Sequence, residues 1–221
     1  RQFVASVSHE LRTPIHAIMG LLQTIETQDA AFPERVESSQ ILKRHSAILL
    51  NRINELLDFS QLQANQLTLQ MKPFDLHELI RDLSTEYAAQ ASQAGIGWST
   101  EIAPNVPRVV HGDVQRTQQI LCIAIDNALK FTHQGGVRVD VHNGGGDVVR
   151  FTVRDTGVGI SDAEVAQLFI HSTSVKEGKL REYGGTGIGL SIALSIVRLM
   201  GGQIEVQSTL GQGTELVVEL P

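Results

Sequence analysis

The chain has 221 residues, of which 42% are hydrophobic and 19% charged, with a net charge of −6. This is the profile of a folded globular protein with material for one large domain or two small ones. It argues against nucleic acid as the main partner, since no basic stripe stands out, and a single cysteine, Cys122, excludes a disulfide framework within the chain.

Residues 1–28 carry one helical stripe, in which Phe3, Val7, Leu11, Pro14, Ile18, Leu22 and Ile25 recur every three or four positions. The chain opens at Arg1 inside this pattern and reads as a piece of a longer protein, with any sensory or membrane part upstream. Neither a signal peptide nor an apolar run of membrane-spanning length is legible in it. Asp29 to Pro33 interrupts the stripe. Residues 34 to about 68 resume it, with Leu42, Leu49 and Leu56 seven apart and Ile53 and Leu57 alongside. A hairpin of two such helices cannot bury both stripes, so a four-helix bundle formed by dimerisation is expected; packing on the second half of the chain is the other way to cover them.

Lys72-Pro73-Phe74 reads as a linker, because proline discourages helix at the residue before it. This divides the chain into residues 1–70 and 71–221. Asp75 with Glu78 has the pattern of a capping box opening a helix to about Gln93. Ile96, Trp98, Thr100 and Ile102 alternate as a strand, and Asp113 caps a helix running to Lys130. Val137, Val139 and Val141, then a turn at Asn143-Gly144-Gly145-Gly146, then Val149, Phe151 and Val153 read as a hairpin. A helix over 190–200 follows, and then a second hairpin: Ile204 and Val206, a turn at Leu210 to Gly213, and Leu216, Val218 and Leu220. The fold class is therefore an all-α helical hairpin followed by an α/β sandwich. Cys122, in the apolar run ILCIAI, reads as a buried thiol.

Residues 6–14, SVSHELRTP, place His9 about 200° around the helix axis from Leu11, away from the apolar stripe, with Thr13 one turn later on the same exposed face. A neutral imidazole can act as a nucleophile near neutral pH without first losing a proton. Glu10 is suited to hold one ring nitrogen and leave the other free. Pro14 cannot donate to the carbonyl of Glu10 and is expected to kink the helix there. Plain surface decoration is the competing reading of this trio. His16, followed by Ala17, is read as a surface residue.

Three further segments have the chemistry of a nucleotide pocket. In Asp126-Asn127-Ala128-Leu129-Lys130, Asn127 can offer a neutral oxygen to Mg²⁺ and Lys130 a charge to phosphate, although both residue types also simply end helices. Asp155-Thr156-Gly157-Val158-Gly159 follows a strand. Its carboxylate can accept from an exocyclic amine, and its glycines can let backbone approach a flat ring, where a tight turn is the plainer reading. Gly184-Gly185-Thr186-Gly187-Ile188-Gly189 opens a helix whose first N–H groups can hold an anion. It is neither a P-loop nor a Rossmann fingerprint. The charged stretch VKEGKLREY between the glycine loops has the texture of a lid or of an ordinary loop.

In this order, the segments resemble the catalytic core of a bacterial-type sensor histidine kinase, including the cores of hybrid kinases, over nearly the whole chain. SHELRTP resembles the H box, QQILCIAIDNALKFT the N box, DTGVGI the G1 box and GGTGIGLSI the G2 box, and STLGQGT resembles the strand-turn motif that follows. The resemblance implies a dimerisation and histidine-phosphotransfer hairpin, homodimeric through that hairpin, and an ATP-binding domain of the GHKL (Bergerat) type. It implies that His9 accepts phosphoryl from ATP with Glu10 as its base, and that the group passes to an aspartate on the receiver domain of a response regulator. Thr13 is implicated in dephosphorylating that partner. Asn127 is implied to hold Mg²⁺, Lys130 the phosphates and Asp155 the adenine. Gly157, Gly159, Gly185, Gly187 and Gly189 would shape the pocket, with Thr214 beside the base. It further implies the cytoplasmic portion of a membrane-anchored sensor.

Three departures from the pattern stand out. Ile123 occupies the position of a second asparagine one turn before Asn127. Phe169 keeps one of two usual phenylalanines, with Ser172 at the other, and His16 replaces a common asparagine. Ile123 and Ser172 support an alternative, a weakly active kinase serving as a dimerising regulatory module for another kinase. A chaperone- or topoisomerase-type ATPase is disfavoured, since it would carry a glutamate at position 123 and no His9 hairpin.

Overall fold

The computed structural model describes residues 66–161, 163–165 and 188–221, together with positions 15, 18, 19, 42, 46, 49, 50, 53–55, 57, 58, 60–62 and 64. The chain divides into two compact units, Arg1–Leu67 with Val175–Gly189, and Thr68–Ser174 with Leu190–Pro221. In the first unit, Ile15, Ile18, Met19 and the positions described between 42 and 62 are helical, in keeping with the two apolar stripes. The interruption at Asp29 to Pro33, the kink at Pro14 and the lid segment lie outside the described residues.

The second unit begins with strand β1 (Lys72–Asp75), where a linker was expected. Pro73 is tolerated because β1 belongs to a two-stranded sheet with β3 (Val109–Gly112), in which Pro73 faces His111 and Phe74 faces Val110. Asp75 ends β1 and caps helix α1 (Leu76–Gln93): its Oδ1 accepts from the Glu78 N–H at 2.9 Å. Its Oδ2 takes the Arg108 guanidinium at 2.8 Å, and this partner first, then the Glu78 N–H, holds the Asp75 carboxyl below its ordinary pKa. Helix α1 buries Leu76, Leu79, Ile80, Leu83, Tyr87 and Ala91, a stripe at three- and four-residue spacing.

Strand β2 (Gly97–Ile102) follows, and then β3 and helix α2 (Val114–Phe131). Asp113 caps α2 as expected. Its Oδ1 accepts from the Arg116 N–H, and its Oδ2 from the Gln70 N–H at 2.8 Å, so one buried carboxylate ties the entrance of this unit to α2. Strands β4 (Gly136–Gly145) and β5 (Val148–Asp155) form the first hairpin. The glycine run expected as a turn is mostly strand: pairing continues through Asn143 and Gly145 with a bulge between them, and the chain reverses at Gly146, where φ is +61°. Helix α3 (Ile188–Leu199), strand β6 (Gln203–Thr209) and strand β7 (Gly213–Leu220) complete the chain.

The large sheet has the order β2-β4-β5-β7-β6. Its β2–β4 pair is parallel, which α2 permits by carrying the chain across between them; the other pairs are antiparallel. One face is apolar, with Val137, Val139, Val141, Phe151, Val153 and Val218 buried. Helix α1 packs against β2, and α2 against β4 and β5. The opposite face carries Arg138 with Glu101 and Asp140, Arg150 with Glu219, and Arg154 with Glu215. This alternation is that of a sheet with one covered and one polar face. Cys122, on α2, is half-buried, and burial pushes its thiol above the ordinary pKa.

Candidate functional site: a carboxylate clamped at the sheet end

Asp155 is the last residue of β5, on the helix-facing side after Val149, Phe151 and Val153. It lies opposite Val137 on β4. Its Oδ1 accepts from the Gly157 N–H at 2.8 Å and from the Thr214 N–H at 3.2 Å. No other hydrogen bond reaches this carboxylate among the described residues, so Oδ2 is left able to accept. Burial raises the Asp155 pKa above its ordinary value, and the two backbone N–H groups only partly oppose that effect.

The loop after Asp155 is fixed on three sides. The Val158 N–H donates to the Phe131 carbonyl at the end of α2, one of the terminal carbonyls that a helix leaves without an internal partner. The Val158 carbonyl accepts from the Gly211 N–H at 2.7 Å in the β6–β7 turn. The Ile160 N–H donates to Ser208 Oγ at 2.8 Å. Protein packing by itself requires glycine at positions in this loop. A Cβ on Gly157 would collide with the Phe131 carbonyl, and one on Gly159, whose φ is +63°, with the Thr209 carbonyl. A Cβ on Gly213, whose φ is +104°, would collide in the same way with the Asp155 carbonyl.

Asn127 is half-buried near the end of α2, and its side chain makes no hydrogen bond among the described residues. That leaves its amide oxygen available to a hard cation. Ile123 is half-buried one turn earlier on the same helix face and offers no donor atom. Lys130 is exposed, its Nζ lying 5.2 Å from the Phe131 ring centroid. Among the described residues no cluster of three or more His, Cys, Asp or Glu side chains forms a ready-made metal site. The donor set therefore fits a cation that a bound nucleotide would largely ligate itself.

Gly189 lies in the first turn of α3. His9, Glu10, Thr13, Gly185, Gly187, Phe169 and Ser172 lie outside the described residues. Sequence reasoning missed Ser208 and Thr156. Thr156 Oγ1 accepts from the Gly136 N–H at 2.9 Å, and its own N–H donates to the Gly136 carbonyl, so it seals the loop to β4. Ser208 had a legible signal, a polar residue continuing the Ile204–Val206 alternation.

A family model of the histidine kinase-, DNA gyrase B- and HSP90-like ATPase matches residues 112–221. The His Kinase A phospho-acceptor domain matches residues 1–65. The chain belongs to the sensor histidine kinase family. Among histidine kinases, it is 36% identical over 220 residues to the sensor histidine kinase RcsC of Escherichia coli K12, covering 99% of this chain and 23% of that protein. It is 34% identical over 223 residues to the sensor histidine kinase GacS of Pseudomonas protegens, covering 99% of this chain and 24% of that protein. The chain thus spans about a quarter of the length of these curated relatives. The crystal structure of full-length ShkA in complex with AMPPNP superposes with a TM-score of 0.72 at 31% identity, over 100% of this chain and 45% of that one. The described part of this chain contains no helix long and apolar enough to cross a membrane.

Proposed function

We propose that this chain is the catalytic core of a two-component kinase, which transfers the γ-phosphoryl group of ATP to its own His9 and then to an aspartate of a response-regulator receiver domain. The observation that carries the nucleotide half is Asp155: a carboxylate with one oxygen held by two backbone N–H groups and the other open, as recognition of an adenine amine requires. The phospho-acceptor and ATPase matches in one chain supply the other half. In the first step the bond between the bridging oxygen and the γ-phosphorus breaks, a bond from imidazole nitrogen to phosphorus forms, and ADP leaves. Glu10 would hold the ring in the tautomer that attacks and, as its base, take the proton from the other ring nitrogen as the N–P bond forms. Thr13 would serve the dephosphorylation of the partner response regulator.

Asp155, with Thr214 beside it, would bind the base. Lys130 would face the phosphates with Gly185, Gly187 and Gly189, while Gly157 and Gly159 would keep the loop seated. Asn127 would hold Mg²⁺, which when bound would neutralise phosphate charge. Catalysis then rests on positioning and charge neutralisation, because phosphoryl transfer needs little covalent help.

Residues 1–70 would form the phosphotransfer hairpin and residues 71–221 the ATP-binding domain. Leu50 and Leu57 are 60% and 56% exposed in the single chain, which supports a homodimeric bundle covering them. The chain would be the cytoplasmic portion of a membrane-anchored sensor. A second reading, a dimerising regulatory module with little chemistry of its own, is favoured by Ile123 and Ser172.

Incubation with γ-labelled ATP and Mg²⁺ tests the proposal. Acid-labile label is expected on the parent and on neither His9→Gln nor Asn127→Ala. Label that survives His9→Gln refutes the acceptor assignment. Nucleotide binding without label favours the regulatory module.

A further inference from the structure

A polar row ends the apolar face of the sheet. Ser208 on β6 is directly opposite Thr214 on β7, and both continue the inward-facing sets of their strands, Ile204 and Val206 with Leu216 and Val218. Thr214 sits next to Asp155, its N–H on Asp155 Oδ1. Ser208 Oγ accepts from the Ile160 N–H at 2.8 Å, donates to the Gly213 carbonyl at 2.9 Å, and lies 2.9 Å from Thr214 Oγ1.

A serine hydroxyl has one proton and two acceptor sites. The Gly213 carbonyl can only accept, so the Ser208 proton goes there, and the two acceptor sites face Ile160 and Thr214. The Thr214 hydroxyl must then donate to Ser208. The reverse assignment would leave Ser208 and the Gly213 carbonyl as two acceptors in contact without a proton between them. With its proton committed to Ser208, the Thr214 hydroxyl can only accept from a ligand.

We propose that Ser208 is a specificity-determining residue: by fixing Thr214 as an acceptor beside Asp155, it makes the site select a 6-amino purine over a 6-oxo purine. The inference rests on the reading that Asp155 binds the nucleotide base. The exocyclic amine of adenine carries two N–H groups, one for each acceptor. The 6-oxo group of hypoxanthine sets lone pairs against both, and neither acceptor can turn to donate. Ser208 touches no ligand in this scheme and works by orienting Thr214.

The test is calorimetric titration of the parent, Ser208→Ala and Ser208→Thr with ADP and with IDP, read as the ratio of the two affinities. The parent is expected to prefer ADP. In Ser208→Ala the Thr214 hydroxyl is free to rotate and donate to a 6-oxo group, so the ratio should fall about tenfold, the effect of one hydrogen bond changing sign. Ser208→Thr restores the hydroxyl and should return the ratio to that of the parent. Losing the partner of the Ile160 N–H weakens both nucleotides alike and leaves the ratio unmoved. A purely structural Ser208 therefore predicts parallel losses, and that result overturns the proposal. So does a parent with no preference for ADP. A parent that binds no nucleotide overturns the underlying site reading and this proposal with it, whereas ADP preference unmoved by Ser208→Ala overturns this proposal alone.

Discussion

Replacing Asp155 by asparagine separates what this carboxylate does for binding from what it does for stability. Asparagine keeps an oxygen for the Gly157 and Thr214 N–H groups, at 2.8 and 3.2 Å, but turns the open oxygen into an N–H donor. An amine that once met a charged acceptor would then meet a donor. A hydrogen bond to a charged group contributes about 1.5–3 kcal/mol, so ADP affinity should fall about ten- to a hundredfold. Stability should move the other way. Burial raises the Asp155 pKa above 3.8, so between that value and the raised one the folded chain holds a proton that the unfolded chain has lost. The stability tied to this proton falls as pH rises through that window and stays lost above it. At neutral pH the ligand-free Asp155→Asn chain should therefore melt no lower than the parent, and any advantage should shrink toward pH 4. Calorimetric titration with ADP and thermal melts across that pH range measure both effects. Unchanged ADP affinity in a folded variant refutes the role of the open oxygen. A lower melting temperature at neutral pH refutes the claim that burial outweighs the backbone hydrogen bonds.

Three other perturbations have defined outcomes. Gly213→Ala meets both a φ of +104° and a collision with the Asp155 carbonyl; unfolding by urea should show a loss of more than about 2 kcal/mol. Tyr87→Phe removes the hydroxyl that donates to Asp126 Oδ1 at 2.9 Å and joins α1 to α2. The urea midpoint should fall by the equivalent of about 1 kcal/mol with an unchanged slope. Ile123→Asn adds an oxygen ligand or water anchor one turn from Asn127. The Mg²⁺ concentration that half-saturates labelling from γ-labelled ATP should fall about tenfold, and an unchanged value would show that position 123 does not face the metal.

Much of the fold was legible because its signals are local. Asp75 and Asp113 announced their helices, and the valines of β4 and β5 alternated as a half-buried hairpin should. What was not legible depends on distant partners. Lys72-Pro73-Phe74 becomes a strand only because Val109–Gly112 lies against it, and nothing in either segment names the other. The glycine run after Val141 looked like a turn, yet most of it is paired strand, since glycine marks a bulge as readily as a reversal. At the site, residue type and position singled out Asp155 as a candidate. The packing duties of Gly157 and Gly159 were hidden because the Phe131 and Thr209 carbonyls that enforce them are remote in sequence. Ser208 was visible as a polar residue on an apolar face, but its meaning needed the partner strand.

The place of β7 has a consequence for how the sheet comes into being. The strand that is seventh in chain order sits in the interior, between β5 and β6. During synthesis β5 therefore waits as an open edge, with Val149, Phe151 and Val153 on one side and unpaired peptide groups along its length, a surface prone to mispairing. Closure must span the stretch from Asp155 to Gly213 in one step of high loop entropy. The Thr214 N–H reaches Asp155 only when that step is complete. A chain interrupted before β7 thus lacks one of the two clamps on its central carboxylate, so competence to bind nucleotide would be acquired last, as the hairpin docks.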